Sequence, residues 1–357
     1  MAKINVIIAD TDAIYLNHLS NYLMQHMDAI SVFTFTAKEN LEKFLNENTK
    51  KIDVIAVTED LLDETVIHSE ISVKILLTDG TLSDYEEIEA VNKYQRAGNF
   101  VSDILTIYAE KTGHIEAVIS GDKKTEIIGV YSPVGGSGKT TVSAALSAAL
   151  AAGGKKVFYL NAEKINSTAN IFNHADNGNM SDVYLAAISK GDNIGLKIVS
   201  NKYVDPEWGI SYINPSESSL EINEVSTEKF LTLMNEFEKL GEFDYVIIDF
   251  DSEFSKYKAE VLKKCDKIVM PVVDGVLQTG KINLFVKELG MYEELGEILR
   301  KSIIVHNRKE TNGGNVVIDG CEPTAAIPMS PILNNITEIP YAISKVMDIM
   351  SEVIVQI

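Results

Sequence analysis

The chain has 357 residues, 45% of them hydrophobic and 24% charged. A single core rarely grows beyond about 250–300 residues, so two domains are expected, and a mini-protein or a disordered tail is excluded. The formal net charge is −20, with 52 acidic against 32 basic side chains. Residues 1–120 contribute −11 and the remainder −9. A surface this acidic repels polyphosphate and anionic lipid, so neither nucleic-acid binding nor direct membrane insertion is expected. Cys265 and Cys321 are the two cysteines and form no framework; reduced cytoplasmic thiols are the plain reading. Met1–Val6 lacks the basic and apolar regions of a secretory signal. The longest small-apolar run, Ala144–Ala152, falls short of the roughly 20 residues that a membrane span needs. A cytoplasmic location follows as an expectation.

In chain order, Lys3–Ala9, Ile30–Phe35, Ile52–Val57 and Val73–Leu77 read as strands. Ala13–Met27, Ala37–Asn46 and Phe100–Ala109 read as helices. Strands alternating with helices predict a small, flavodoxin-like, doubly wound sheet over residues 1–118. A polar stretch with Gly and Ser follows, and a linker is placed at 119–125. The alternation then restarts over 126–357. Strands are predicted at Glu126–Tyr131, Lys156–Leu160, Tyr245–Asp249, Lys267–Val272, Ser302–Val305 and Ala325–Pro328. Helices are predicted at Lys139–Ala152, Thr227–Lys239, Lys258–Lys264, Gly280–Leu289 and Tyr341–Val353. Runs such as Val246-Ile247-Ile248 lack alternation, as expected of a mostly parallel sheet covered on both faces.

The strongest chemical signal is Tyr131-Ser132-Pro133-Val134-Gly135-Gly136-Ser137-Gly138-Lys139-Thr140-Thr141. It follows a predicted strand and opens a predicted helix, the context that a phosphate loop requires. Gly135, Gly136 and Gly138 let the backbone curl around Ser137, so that successive N–H groups point at phosphate oxygens. The helix adds the positive end of its dipole. Lys139 would reach the β- and γ-phosphates, Thr140 would place its hydroxyl on Mg²⁺, and Thr141 lies within reach of the α-phosphate. Pro133 stands where the motif usually has its first glycine. The bland alternative is a glycine-rich turn that happens to precede a lysine.

Gly-Gly-Ser-Gly-Lys-Thr-Thr resembles the deviant Walker A motif of the ParA/MinD class of P-loop ATPases. That resemblance implies an α/β NTPase domain binding ATP and Mg²⁺ at the interface of a homodimer. Members carry an extra lysine directly before the paired glycines, which reaches the partner's nucleotide; here that position is Val134. Asp244-Tyr245-Val246-Ile247-Ile248-Asp249 resembles the Walker B strand, which implies that Asp249 holds Mg²⁺ through water; a capping or merely solvated aspartate is the alternative. Where the family carries two aspartates in its first switch segment, this chain has Asn161 and Glu163. Glu163 matches the acid that activates the attacking water, with a surface acid as the alternative. Lys139, Glu163 and Asp249 are thus the catalytic candidates. Ile304-Val305-His306-Asn307-Arg308 resembles the adenine-contacting strand end, and Ala326-Ile327-Pro328-Met329 the segment that walls the base. Asn307, Arg308, Pro328 and Met329 therefore join the loop residues as nucleotide-binding candidates. Lys281 falls at the family's dimer face.

Residues 1–110 resemble a response-regulator receiver without its phosphoacceptor. Asp10-Thr11-Asp12 matches the acidic pair, Thr58 stands at the phosphoacceptor position, Thr78 matches the switch threonine and Lys93 the lysine. Threonine cannot form the acyl phosphate of a carboxylate, so no phosphorelay is expected. A receiver-like domain followed by a ParA/MinD-like ATPase is the architecture of the TadZ/CpaE group, tied to assembly of Flp (type IVb) pili, often at a cell pole. The resemblance implies an ATP-binding, dimerising switch that recruits pilus or secretion assembly proteins, with weak or no hydrolysis. The alternatives are a pseudo-ATPase scaffold and, less favoured by the charge, a partition or positioning ATPase. The C-terminal Met347, Met350 and Ile354 have helical spacing and read as core or partner-facing rather than lipid-facing.

Overall fold

The computed structural model describes residues 3–26, 30–80, 88–95, 97–112, 124–172, 178–189, 194–310, 318, 322–329 and 339–357. Cys321 and most of the expected linker, 119–123, lie outside them. The chain divides into two compact units, each built on its own sheet.

Among the described residues the first unit holds five parallel strands: β1 (Ile4–Ala9), β2 (Ile30–Phe35), β3 (Val54–Thr58), β4 (Val73–Thr78) and β5 (Glu89–Asn92). Their order is β2-β1-β3-β4-β5. Alternate residues of the apolar strands feed two separate cores. Ile4, Val6 and Ile8 of β1 and Val54 and Ala56 of β3 pack with helices Ala13–His26 and Ala97–Thr112. Ile7, Ala9, Ile55 and Val57 pack on the other face with Leu41, Leu61 and Val66. Two buried faces explain why these strands show no polar alternation. The sequence reading missed β5. Only Val91 of its four residues is buried, so this edge strand has no apolar run to announce it.

Helix Ile194–Asn201 also belongs to the first unit. Its Leu196 enters the first core, and its Ser200 carbonyl accepts the Tyr22 hydroxyl at 3.3 Å. A Cβ at Gly98 would meet the Ser200 carbonyl oxygen at 2.5 Å, so glycine permits this docking. The sequence division at 118 and 126 would have put that helix with the second domain.

Among the described residues the second unit has eight strands in the order β13-β12-β11-β6-β10-β7-β9-β8. They are β6 (Glu126–Val130), β7 (Val157–Ala162), β8 (Tyr203–Val204), β9 (Ser211–Tyr212), β10 (Tyr245–Phe250), β11 (Lys267–Val272), β12 (Ser302–Lys309) and β13 (Ala325–Pro328). Among the described residues only the β8–β9 pair is antiparallel. The helix Lys139–Ala152 lies against one face. Its alanines bring it close to the sheet, and Ile343, Val346, Met350 and Val353 complete that core. Met347 and Ile354 pack against the same core. On the other face Phe158 meets Phe237 and Phe243 at centroid distances of 4.7 and 5.1 Å. The predicted C-terminal helix breaks into Ile339–Met347 and Met350–Ile354. Among the described residues no helix is long and apolar enough to cross a membrane.

Candidate functional site

Parallel strands deliver their C-terminal ends to one edge of a sheet, and ligands of open α/β sheets bind along that edge. Strand β6 is central, and its end runs into the loop 131–138. On its flanks β10 ends at Asp249-Phe250, with β7 beyond it ending at Asn161-Ala162 in register. On the other side lie the ends of β11 and β12. The sequence candidates converge here from segments more than 170 residues apart.

The loop needs its glycines for backbone reasons. Gly136 has φ 70° and Gly138, the residue capping the helix, φ 91°. Both lie in the left-handed region, which only glycine enters freely. A Cβ on Gly138 would also meet the Asn307 side chain at 2.2 Å. The Asn307 amide donates to the Ser137 carbonyl at 2.8 Å, and its oxygen accepts the Arg308 N–H at 2.9 Å. Asn307 thus braces the loop, a role the sequence did not suggest. Arg308 itself is exposed and has φ 56°. Pro328 and Met329 are exposed at the end of β13, where the Met329 N–H donates to the Lys309 carbonyl at 2.8 Å. They lie beside Arg308 but three strands from the loop. Val134 is 3% exposed.

Lys139 is buried at the first turn of its helix, and its Nζ donates to Ser252 Oγ at 2.6 Å. Burial lowers its pKa, while Asp249, Glu163 and Asp251 pull it back up. Asp249 is fully buried at the end of β10. Its Oδ2 accepts the Tyr159 hydroxyl at 2.9 Å, and among the described residues its Oδ1 has no hydrogen-bond partner. Burial and then the Glu163 charge push its pKa up to about 7, against the hydroxyls of Thr140, Tyr159 and Ser143. Ser137 Oγ, inside the loop, is likewise buried without a partner among the described residues. Glu163 sits just past β7, half-buried. Its N–H donates to Asn161 Oδ1 at 2.9 Å, and its carboxylate accepts the Ser167 hydroxyl at 3.3 Å. Thr141 is half-buried on the first turn.

Chemically, this is an anion cradle facing a cation-seeking carboxylate. Loop amides, a helix N-terminus and Lys139 supply positive potential. The Asp249 carboxylate lies near the Thr140 hydroxyl, and oxygens of this kind are what a divalent cation takes as ligands. Tyr159, Ser252 and Asp251 were missed in the sequence. Tyr159 had one legible signal, because a tyrosine inside a buried strand needs a partner for its hydroxyl.

In the first unit the equivalent strand ends carry an ion pair and a buried threonine. Lys93 Nζ bonds Asp10 Oδ2 at 2.8 Å, with Asp10 1% exposed. Thr58 is buried at the end of β3, and among the described residues its hydroxyl has no partner. Among the described residues no three acids, histidines or cysteines gather to hold a metal.

Two family models match the chain: a TadZ-like receiver domain over residues 2–109 and an AAA domain over residues 125–294. No curated protein matches it. Among solved structures it is similar to the septum site-determining protein MinD complexed with Mg-ADP from Pyrococcus horikoshii OT3. Identity is 17% over 62% of this chain and 86% of that one, with a TM-score of 0.46. It is also similar to a ParA family ATPase from Chlorobium tepidum TLS, at 14% identity over 64% and 91% and a TM-score of 0.49. A third is the MinC:MinD cell division protein complex of Aquifex aeolicus, at 19% identity over 62% and 86% and a TM-score of 0.44.

Proposed function

We propose that this chain, which belongs to the TadZ/CpaE-like group of the ParA/MinD ATPase family, is an ATP-binding, dimerising switch that recruits pilus assembly machinery. The observation that carries the reading is the left-handed glycine loop around Ser137, set opposite an Asp249 oxygen buried without a partner. That donor set suits a triphosphate and Mg²⁺. Loop amides from Gly135 to Thr141 and the Lys139 ammonium would hold the phosphates. Thr140 and Asp249 would hold the cation, which when bound neutralises phosphate charge. Asn307, with Arg308, Pro328 and Met329 beyond it, would flank the base. Glu163 would orient a water. The output is recruitment by a protein surface that γ-phosphate orders, a common form of nucleotide switch. The net charge of −20 supports protein partners over nucleic acid.

A second reading, a scaffold that holds ATP permanently, is favoured by Val134. It brings no charge to the position from which the family reaches its partner, and it is buried.

Calorimetry with ATP and Mg²⁺ tests the site: micromolar or tighter binding is expected, and its absence ends the reading. Sedimentation with and without ATP tests the switch, and an unchanged monomer overturns dimerisation. Turnover that vanishes in Glu163→Gln supports a cycling enzyme. Tight binding without turnover supports the scaffold.

A further inference from the structure

Tyr159 is a buried polar group to which the nucleotide reading gives no task. It lies inside β7, 1% exposed. In the register of the sheet it faces Ile247, and Asn161 faces Asp249. Side chains of a strand alternate between faces, so Tyr159 and Asn161 share one face, and Asp249 lies on that side too. From two residues deeper in the sheet the Tyr159 hydroxyl reaches forward and donates to Asp249 Oδ2 at 2.9 Å. The Ser143 hydroxyl also lies near this carboxyl, but it donates to the Lys139 carbonyl at 2.7 Å. Aromatic neighbours hold the Tyr159 ring: Phe172 meets it edge-on at 5.2 Å and itself stacks on Tyr212 at 4.9 Å. Burial, and then the Asp249 charge, raise the Tyr159 pKa well above its ordinary value, so the hydroxyl keeps its proton and stays a donor. A phenylalanine would fill the same volume without the cost of burying a polar group. The hydroxyl is therefore explained by Asp249 and not by the core.

We propose that Tyr159 is a positioning residue for the cation: its hydroxyl claims Asp249 Oδ2, fixes the plane of the carboxyl and leaves Oδ1 to Mg²⁺ and its waters. A carboxyl turns about a soft, two-fold torsion, so a second bond is needed to decide which oxygen faces the ion. Groups behind a metal ligand commonly do this. The inference rests on the nucleotide reading above and adds to it a residue that touches neither phosphate nor cation.

Tyr159→Phe removes the hydroxyl and keeps the ring. Calorimetry on the full chain, with excess Mg²⁺ and again with EDTA, gives the factor by which the cation strengthens ATP binding. That factor should fall about tenfold to a hundredfold in Tyr159→Phe, the usual cost of losing a group behind a metal ligand. ATP affinity in EDTA should match the native value, because the loop and Lys139 are untouched. Mn²⁺ in place of Mg²⁺, followed by electron paramagnetic resonance, should show the same loss. Phe172→Leu keeps the hydroxyl but frees the ring, so it should lower the factor by less, and it carries the test if Tyr159→Phe does not fold. A folded Tyr159→Phe with the native factor overturns the positioning role and leaves the nucleotide reading standing. An equal loss of affinity in Mg²⁺ and in EDTA overturns it too, since that marks a hydroxyl that serves only the fold. So does a Phe172→Leu with the native factor where it is the variant that folds. A native chain that binds no ATP in either condition removes the nucleotide reading, and this proposal with it.

Discussion

At the residue scale the decisive group is Asp249. A carboxylate ordinarily titrates near pH 3.9, about three pH units below the value of about 7 that burial and Glu163 impose here. The folded state thus holds the proton more tightly than the unfolded chain. The stability this supplies is full below about pH 4 and is lost as pH rises through about 7. Asp249→Asn removes the charge and with it the loss. Without nucleotide or Mg²⁺, the variant should exceed the native chain in stability at pH 8 by on the order of 2 kcal/mol, and the two should converge near pH 4. Thermal melting from pH 4 to 8 checks this, and parallel curves would refute it. The same variant should lose the dependence of ATP affinity on Mg²⁺. Lys139→Ala should weaken ATP binding by about tenfold to a hundredfold, the range of a charge-assisted bond, as read by calorimetry.

At the element scale the loop between β6 and its helix separates two kinds of glycine. Gly138 has φ 91° and a neighbour 2.2 Å from any added Cβ. Gly138→Ala should therefore destabilise the fold by about 1–3 kcal/mol and abolish nucleotide binding. Gly135 has open space around it and no left-handed φ. Gly135→Ala should leave the melting temperature nearly unchanged, so the pair distinguishes backbone strain from general loop sensitivity. Elements also differ in how far their sequence announced them. The predicted β6, β10, β11 and the helix Lys139–Ala152 coincide with the observed ones within a residue. Each carries a continuous apolar or alanine-rich run. The two-residue strands β8 and β9 and the helix Ile194–Asn201 escaped notice. The strands are too short to show a period, and the helix has an apolar face that fits a neighbour distant in sequence.

At the scale of the whole molecule, charge sets the terms of association. Two copies at −20 each repel one another, and salt screens that repulsion over about 10 Å at 0.1 M. If the proposed dimer forms, it should accordingly tighten between about 50 and 300 mM salt, as sedimentation equilibrium would show. Weakening over that range would mean that opposite charges meet across the interface.

The sequence by itself determined the two α/β units, the glycine loop that opens a helix and the acid at the end of an interior strand. Each of these is written in local chemistry: a period, a breaker, a charge after an apolar run. Only the tertiary structure decided that Asn307 braces the loop, that Tyr159 and Ser252 hold Asp249 and Lys139, and that Ile194–Asn201 packs with the first unit. Those contacts join residues about 90 to 180 positions apart, and which distant strand ends meet is set by sheet order, a property that no local pattern encodes.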